Sequence, residues 1–170
     1  HYPLRRQRQM CIRDRPYLTV VCILAAFSLS SRYYTLTQTD LGRFALGICY
    51  DLRFPESAQI ASRLGASTIL YPGAFNTTTG PVAWELLLRA RAIDNQVYTI
   101  GCSPARPPAG YPAWGHSTVV DPLGQVISTC DEKETVIYAT LHPERIAEVR
   151  KTVPVSSQRR FDVYPDVASV

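Results

Sequence analysis

One cysteine in this 170-residue sequence stands where it could act as a nucleophile. Cys49 follows the apolar run RFALGI and precedes YDLRFPE, so a strand is expected to give way there to a loop and then a helix. Such a turn can lift a side chain to the rim of a sheet, with backbone N–H groups, including that of Tyr50, near a developing oxyanion. A thiol of ordinary pKa, about 8.5, also needs a base or a cation. On context alone, a buried cysteine that fills the core is the alternative.

Arg53, four residues further on, could bind the carboxylate of a substrate. A guanidinium beside a nucleophile can hold a carboxylate through two parallel hydrogen bonds. The alternative is a structural or surface ion pair with Asp51 or Glu56. The sequence leaves both open.

The loop YPGAFNTTTGP, residues 71–81, follows an apolar strand and is rich in glycine, proline, threonine and asparagine. Ligands of open α/β sheets tend to bind at such strand-end loops. Phe75 could form an apolar wall there, and Asn76 and Thr79 could supply hydrogen bonds. An ordinary strand-to-helix connection is the alternative.

His116 is the obvious candidate base for a cysteine–histidine pair, but it leads into a hairpin strand, where a hydrogen-bonded structural role is more common. A Cys49–His116 hydrolase of another kind therefore stays as a minor hypothesis. In the helix before it, Glu85, Arg89, Arg91 and Asp94 form either a solvated face or a polar seam with a partner subunit.

Composition excludes several classes of function. The net charge of +4 comes from residues 1–16, which hold five arginines and one aspartate, whereas residues 17–170 are neutral. The body of the chain therefore offers no footprint for nucleic acid. Five widely spaced cysteines without a C-x-x-C pair, and three scattered histidines, predict neither disulfides nor a metal site and favour a reducing compartment.

The elements that must position these residues alternate between strands and helices, which predicts an α/β layered fold. The hairpin carries Pro122 and Gly124 at its turn. Strands are predicted at 43–48, 67–72, 96–103, 116–129 (a hairpin) and 135–141, and helices from Pro55 to about 64, at 82–94 and at 143–151.

Residues 1–36 do not match the rest and are predicted to be foreign to the domain that spans 37–170, as a read-through or an assembly scar. Their apolar run 17–29, after an arginine-rich start, resembles a secretory signal but lacks a clean cleavage site and is short for a membrane span. A targeting sequence is the alternative. We expect a cytoplasmic protein without membrane attachment, with a mitochondrial location as the alternative.

Taken together, the motifs of residues 38–164 resemble the nitrilase superfamily of carbon–nitrogen hydrolases, and most closely its omega-amidase-like branch. The matching stretches are LGICYDLRFPE (46–56), YPGAFNTTTGP (71–81), WELLLRARAIDNQVY (84–98), SPAR (103–106), WGHSTVVDPLGQVI (114–127) and PVSSQRRFDVY (154–164). The resemblance implies the carboxy-terminal portion of an αββα four-layer sandwich. It also implies a homodimer in the full-length protein and no cofactor or metal.

The resemblance further implies that Cys49 attacks the terminal amide of 2-oxoglutaramate or 2-oxosuccinamate to form a thioester and release ammonia. Tyr50 would contribute its N–H to the oxyanion, and Arg53, Phe75, Asn76 and Thr79 would bind the substrate. The family's glutamate base and lysine precede its cysteine, whereas here the first glutamate is Glu56 and the only lysines are Lys133 and Lys151. This polypeptide is therefore expected to be inactive alone. Alternatives are an amidase acting on deaminated glutathione and a non-catalytic isoform that pairs with a full-length copy.

Overall fold

The computed structural model describes residues 35–39 and 42–164. They form one six-stranded sheet whose strands lie side by side in chain order. Strands β2, β3 and β4 run parallel, whereas β1 at one edge and β5 and β6 at the other are antiparallel to their neighbours. The strands are β1 (Thr35–Thr39), β2 (Gly42–Leu46), β3 (Thr68–Pro72), β4 (Tyr98–Cys102), β5 (Thr118–Val120) and β6 (Val126–Thr129).

Two helices connect the parallel strands. Helix α1 (Pro55–Arg63) lies between β2 and β3, and α2 (Gly80–Asn95) lies between β3 and β4. A 3-10 helix, Cys49–Arg53, precedes α1. After the sheet come α3 (Pro143–Thr152), α4 (Val155–Gln158) and a second 3-10 helix, Phe161–Val163. The α/β class expected from the sequence is confirmed.

The core lies between α2 and one face of the sheet. Trp84 and Leu88 of α2 are almost fully buried, as are Ile69 and Tyr71 of β3. Because alternate residues of a strand point to opposite faces, Ile69 and Tyr71 share the face that meets the helix. Burying a large apolar side chain contributes about 1.5–3 kcal/mol, so these contacts hold β3 and its following loop firmly against α2.

The predicted hairpin is confirmed. Its turn closes where the Gly124 N–H donates to the Asp121 carbonyl at 2.9 Å. The Asp121 side chain, 5% exposed, accepts two more backbone N–H groups of the turn, each at 2.9 Å. Helix α2 begins two residues before the predicted position 82, because Pro81 in its first turn fits helical geometry without a backbone donor.

The predicted strands differ from the observed ones in two places. Residues 135–141 were expected to form a strand but lie outside all strands. Val136 and Tyr138 are 68% and 85% exposed, so β-branched composition there is not supported by a neighbouring strand or a covering layer. Strand β1, conversely, was not predicted, and it begins at Thr35, inside the segment set apart from the domain.

None of the helices in the described ranges has the length and apolar character needed to cross a membrane.

Candidate active site

Cys49 occupies a sharp, strained turn. It is the first residue of the 3-10 helix after β2, and its φ of 46° lies in the left-handed region. A side chain other than glycine in that conformation costs about 1–2 kcal/mol. The Asp51 carboxylate helps to hold the turn, since it accepts the Ile48 N–H at 2.7 Å while the Asp51 N–H donates to the Ile48 carbonyl at 2.9 Å. The Tyr50 N–H precedes this first hydrogen bond of the helix, where an N–H has no intrahelical acceptor.

Cys49 is buried beside the loop that follows β3. It is 6% exposed. A β-carbon added to Gly73 would lie 2.9 Å from the Cys49 Cα, 3.3 Å from its Cβ and 3.3 Å from the Trp84 ring. Only glycine allows the loop after β3 to approach the cysteine this closely, because any side chain would collide with backbone.

The Arg53 guanidinium lies between two aromatic rings, 5.3 Å from the Tyr50 ring centroid and 4.7 Å from that of Phe75. Its Nε is buried and has no hydrogen-bond acceptor within the described part of the chain. Within the described residues, Arg53 forms no ion pair with Asp51 or Glu56. A buried donor without an acceptor costs about 1–3 kcal/mol, so the Arg53 Nε is an unsatisfied donor within the described part of the chain.

Phe75 packs against both the Arg53 guanidinium and the Trp84 ring of α2. It is 4% exposed and its ring centroid lies 5.1 Å from that of Trp84. The Asn76 side-chain oxygen accepts the N–H groups of Thr78 and Thr79, at 3.1 and 2.8 Å, and the Thr79 hydroxyl, at 2.9 Å. Asn76 Oδ1 therefore shapes the loop that begins α2. Substrate contacts by Phe75, Asn76 and Thr79 stay predictions.

Arg91 is a positioning residue for this turn that the sequence analysis did not identify. It is 5% exposed, so it belongs neither to a solvated face nor to a subunit seam. Its Nε and Nη2 donate to the carbonyls of Leu52 and Arg53 at 3.1 and 3.0 Å. The available signal was its place on the apolar stripe of Trp84 and Leu88, because a charge on a buried face requires buried partners.

Tyr111 is a second residue that the sequence analysis missed. Its hydroxyl donates to the Ala74 carbonyl at 2.9 Å, next to the close contact of Gly73 with Cys49. Partial burial raises the pKa of the Tyr111 phenol above its ordinary value of 10.0, and the neighbouring Cys49 raises it further. Tyr111 therefore lies close enough to Cys49 for the two side chains to influence each other electrostatically.

The loop that carries Tyr111 is tied to the loop after β3. The Thr77 N–H donates to the Pro112 carbonyl at 3.1 Å, and the Trp114 N–H donates to the Phe75 carbonyl at 2.7 Å. The contact joins residues far apart in the chain, so local sequence spacing gave no sign of it.

His116 has a structural setting. Its ring stacks on Trp114, with centroids 4.1 Å apart, and its Nδ1 lies 2.8 Å from the Trp114 carbonyl. Since a carbonyl only accepts, Nδ1 is the protonated nitrogen. The His116 carbonyl in turn accepts the indole N–H of Trp84 at 2.7 Å.

Comparison with known proteins finds a family model and curated relatives that match most of this chain. A family model described as carbon–nitrogen hydrolase matches residues 4–151. Because that match starts inside the segment 1–36, the domain boundary at residue 36 stays a prediction. The chain is 56% identical over 134 residues to a hydrolase of Schizosaccharomyces pombe, covering 78% of this chain and 42% of that protein.

It is also 54% identical over 134 residues to the omega-amidase NIT3 of Saccharomyces cerevisiae, covering 78% of this chain and 46% of that one. The crystal structure of S. cerevisiae Nit3, described as a member of branch 10 of the nitrilase superfamily, superposes with a TM-score of 0.73 at 52% identity. That superposition covers 77% of this chain and 49% of Nit3. The chain thus spans about half the length of the curated relatives it matches.

Proposed function

The chain belongs to the carbon–nitrogen hydrolase family, and on that premise we propose that the site around Cys49 serves the hydrolysis of a small linear amide. The substrate class is the terminal amide of a 2-oxo dicarboxylic monoamide, such as 2-oxoglutaramate or 2-oxosuccinamate. Relatives named omega-amidases, which are 54% and 52% identical to this chain, support this substrate class.

The proposed reaction has two stages. The Cys49 thiolate adds to the amide carbon, and the Tyr50 N–H stabilises part of the oxyanion charge. The amide nitrogen takes up a proton, the C–N bond breaks, and ammonia leaves a thioester behind. Water then adds to the thioester carbon, the C–S bond breaks, and the 2-oxo acid leaves with Cys49 returned to its starting form.

The observation that carries the proposed substrate class is the unpartnered Arg53. A guanidinium between the Tyr50 and Phe75 rings, with a buried Nε that lacks an acceptor, is suited to the free carboxylate at the far end of such a substrate. A carboxylate would bind along the edge of the guanidinium through two parallel hydrogen bonds. The amide end would then point toward Cys49.

We further propose that the 170-residue polypeptide does not turn over alone. The resemblance implies a glutamate base and a lysine that precede the cysteine, and the printed sequence holds neither before Cys49. General acid–base help accounts for about 10²–10⁴-fold in rate. Catalytic groups that act as a unit also fail as a unit, so ammonia release by this polypeptide should match that of buffer.

A chimera tests both statements. Residues 37–170 are joined to the part of S. cerevisiae NIT3 that precedes its matching region, which is expected to supply the glutamate and the lysine. The chimera should release ammonia from 2-oxoglutaramate, and Cys49→Ala should abolish this while Cys102→Ala, a matched control, should not. Undiminished release by the Cys49→Ala chimera would refute the nucleophile, and release by the 170-residue polypeptide above the buffer rate would refute its inactivity.

Two substrate arms separate the alternatives. Arg53→Gln in the chimera should raise KM for 2-oxoglutaramate far more than for a neutral amide of similar length. Faster turnover of deaminated glutathione than of 2-oxoglutaramate would instead favour the other amidase branch. The dimeric assembly is proposed from the resemblance and the cytoplasmic location from the cysteine pattern. Size-exclusion chromatography of the chimera with light scattering tests the first.

A further inference from the structure

A polar cavity lies away from Cys49, where α1, α2, α3 and the chain after α3 meet. Its volume is about 240 Å³, and none of the nine residues that line it belongs to the site described above. It is smaller than the usual pocket for a drug-sized molecule, about 300–1,000 Å³. An ion or a small polar molecule matches that size.

Three arginines from separate elements line this cavity. Arg63 ends α1, Arg150 lies in α3, and Arg159 follows α4. The one carboxylate in the lining, that of Asp94, lies 4.0 Å from Arg91 Nη1, a cation outside the cavity. The lining therefore carries a net charge of +2 that no anion within the described ranges balances.

Most of the donors on these three guanidinium groups have no acceptor in the part of the chain that the structure describes. Arg159 makes one hydrogen bond, from Nη2 to the Asp94 carbonyl at 2.9 Å. Arg63 lies over the Phe161 ring, with Cζ 4.2 Å from its centroid, which leaves its in-plane N–H groups for other partners. The Arg150 Nε is buried and has no hydrogen-bond partner.

The alternative is a purely structural role, in which these arginines only attach residues 159–161 to α1 and α2. It accounts for Arg63 on Phe161 and for Arg159 on the Asp94 carbonyl. It does not account for Arg150, whose buried donor is left without a partner at a cost of about the free energy of one lost hydrogen bond.

We propose that this cavity binds a phosphate group, either as inorganic phosphate or on a small phosphate monoester. A phosphate concentrates about two negative charges and several acceptor oxygens in one compact group, which matches a small cavity with three arginines in its lining. A dicarboxylate of the same charge spreads it over two separated groups. Ser62 and Ser156 add hydroxyl groups to the lining. The proposal is independent of the amidase reaction.

The test compares neighbouring arginines in the full 170-residue polypeptide. The midpoint of thermal unfolding is measured in sodium phosphate, in succinate and in sodium chloride at equal ionic strength and pH, with glycerol phosphate as a second phosphate probe. Arg150→Gln and Arg159→Gln remove cavity donors. Arg160→Gln is the matched control. Arg160 is the next residue after Arg159 and carries the same charge, but it pairs with Asp162 and does not line the cavity.

Phosphate at about ten times its dissociation constant should raise the midpoint of the wild type and of Arg160→Gln by about 3–5 °C. The rise should fall by more than half in Arg150→Gln and in Arg159→Gln. Each rise is taken against the same variant in chloride, so a lower starting stability does not hide the result. No rise in the wild type, an equal rise in all variants, or an equal rise with succinate would overturn the proposal. Isothermal titration with inorganic phosphate on the same variants provides a readout apart from stability.

Discussion

The hydrogen bonds from Arg91 to the 3-10 helix that begins at Cys49 give the most quantitative prediction. Arg91→Met keeps most of the apolar stem but removes both donors to the carbonyls of Leu52 and Arg53. A hydrogen bond to a charged group stabilises the fold by about 1.5–3 kcal/mol, and a buried carbonyl left without a donor destabilises it by about 1–3 kcal/mol. Two such bonds from one side chain are not independent, and methionine avoids burying a charge, so we expect a net loss of about 3 kcal/mol.

A loss of this size is large beside the usual total of about 5–15 kcal/mol. The assay is urea unfolding followed by tryptophan fluorescence, to which Trp84 in the core next to Phe75 and Trp114 both contribute. The free energy is taken from the linear extrapolation. Arg91→Lys should fall between wild type and Arg91→Met, because one ammonium cannot reach both carbonyls in the same geometry.

Arg89→Met is the matched control on the same helix. The Arg89 side chain is 53% exposed and donates to the Gly124 carbonyl at 2.8 Å, so its loss should cost less than about 1 kcal/mol. Alkylation of Cys49 by iodoacetamide, read peptide by peptide, should speed up in Arg91→Met and not in Arg89→Met. Equal stability of Arg91→Met and wild type, within about 0.5 kcal/mol, would refute the positioning role.

Three further predictions concern the surroundings of this turn. Gly73→Ala should cost about 1–3 kcal/mol in urea unfolding and alter the alkylation rate of Cys49, because the added carbon meets backbone at 2.9 Å; an unchanged rate and stability would contradict the packing. The raised pKa of Tyr111 stabilises the fold fully below the unfolded value near pH 10, and this contribution is lost as pH rises through the folded value. The stability difference between wild type and Tyr111→Phe should therefore shrink between pH 9 and pH 11, and a pH-independent difference would count against it. Asp121→Ala should cost about 2 kcal/mol, since it leaves two turn N–H groups without their acceptor; a loss below about 0.5 kcal/mol would show that water replaces it.

Local patterns were sufficient to predict most of the architecture. Helix α2 follows from the spacing of Trp84 and Leu88, and the hairpin turn from Pro122 and Gly124, because each depends on residues within one or two turns of chain. Strand status was less secure. Residues 135–141 have strand composition but no partner strand, and β1 was missed because its formation depends on pairing with β2.

The turn at Cys49 likewise has some features that follow from the sequence and others that depend on tertiary packing. The sequence alone determined that Cys49 would stand between a strand and a helix, with Arg53 one turn beyond it, because chain order fixes which residues follow a strand. Three contacts were decided only by the tertiary structure. Gly73 packs against Cys49, Arg91 donates to the Leu52 carbonyl, and the Tyr111 hydroxyl donates to the Ala74 carbonyl. These contacts join residues 24 to 62 positions from Cys49, and a residue type carries no record of such a partner until packing of α2 and the loops brings the two together.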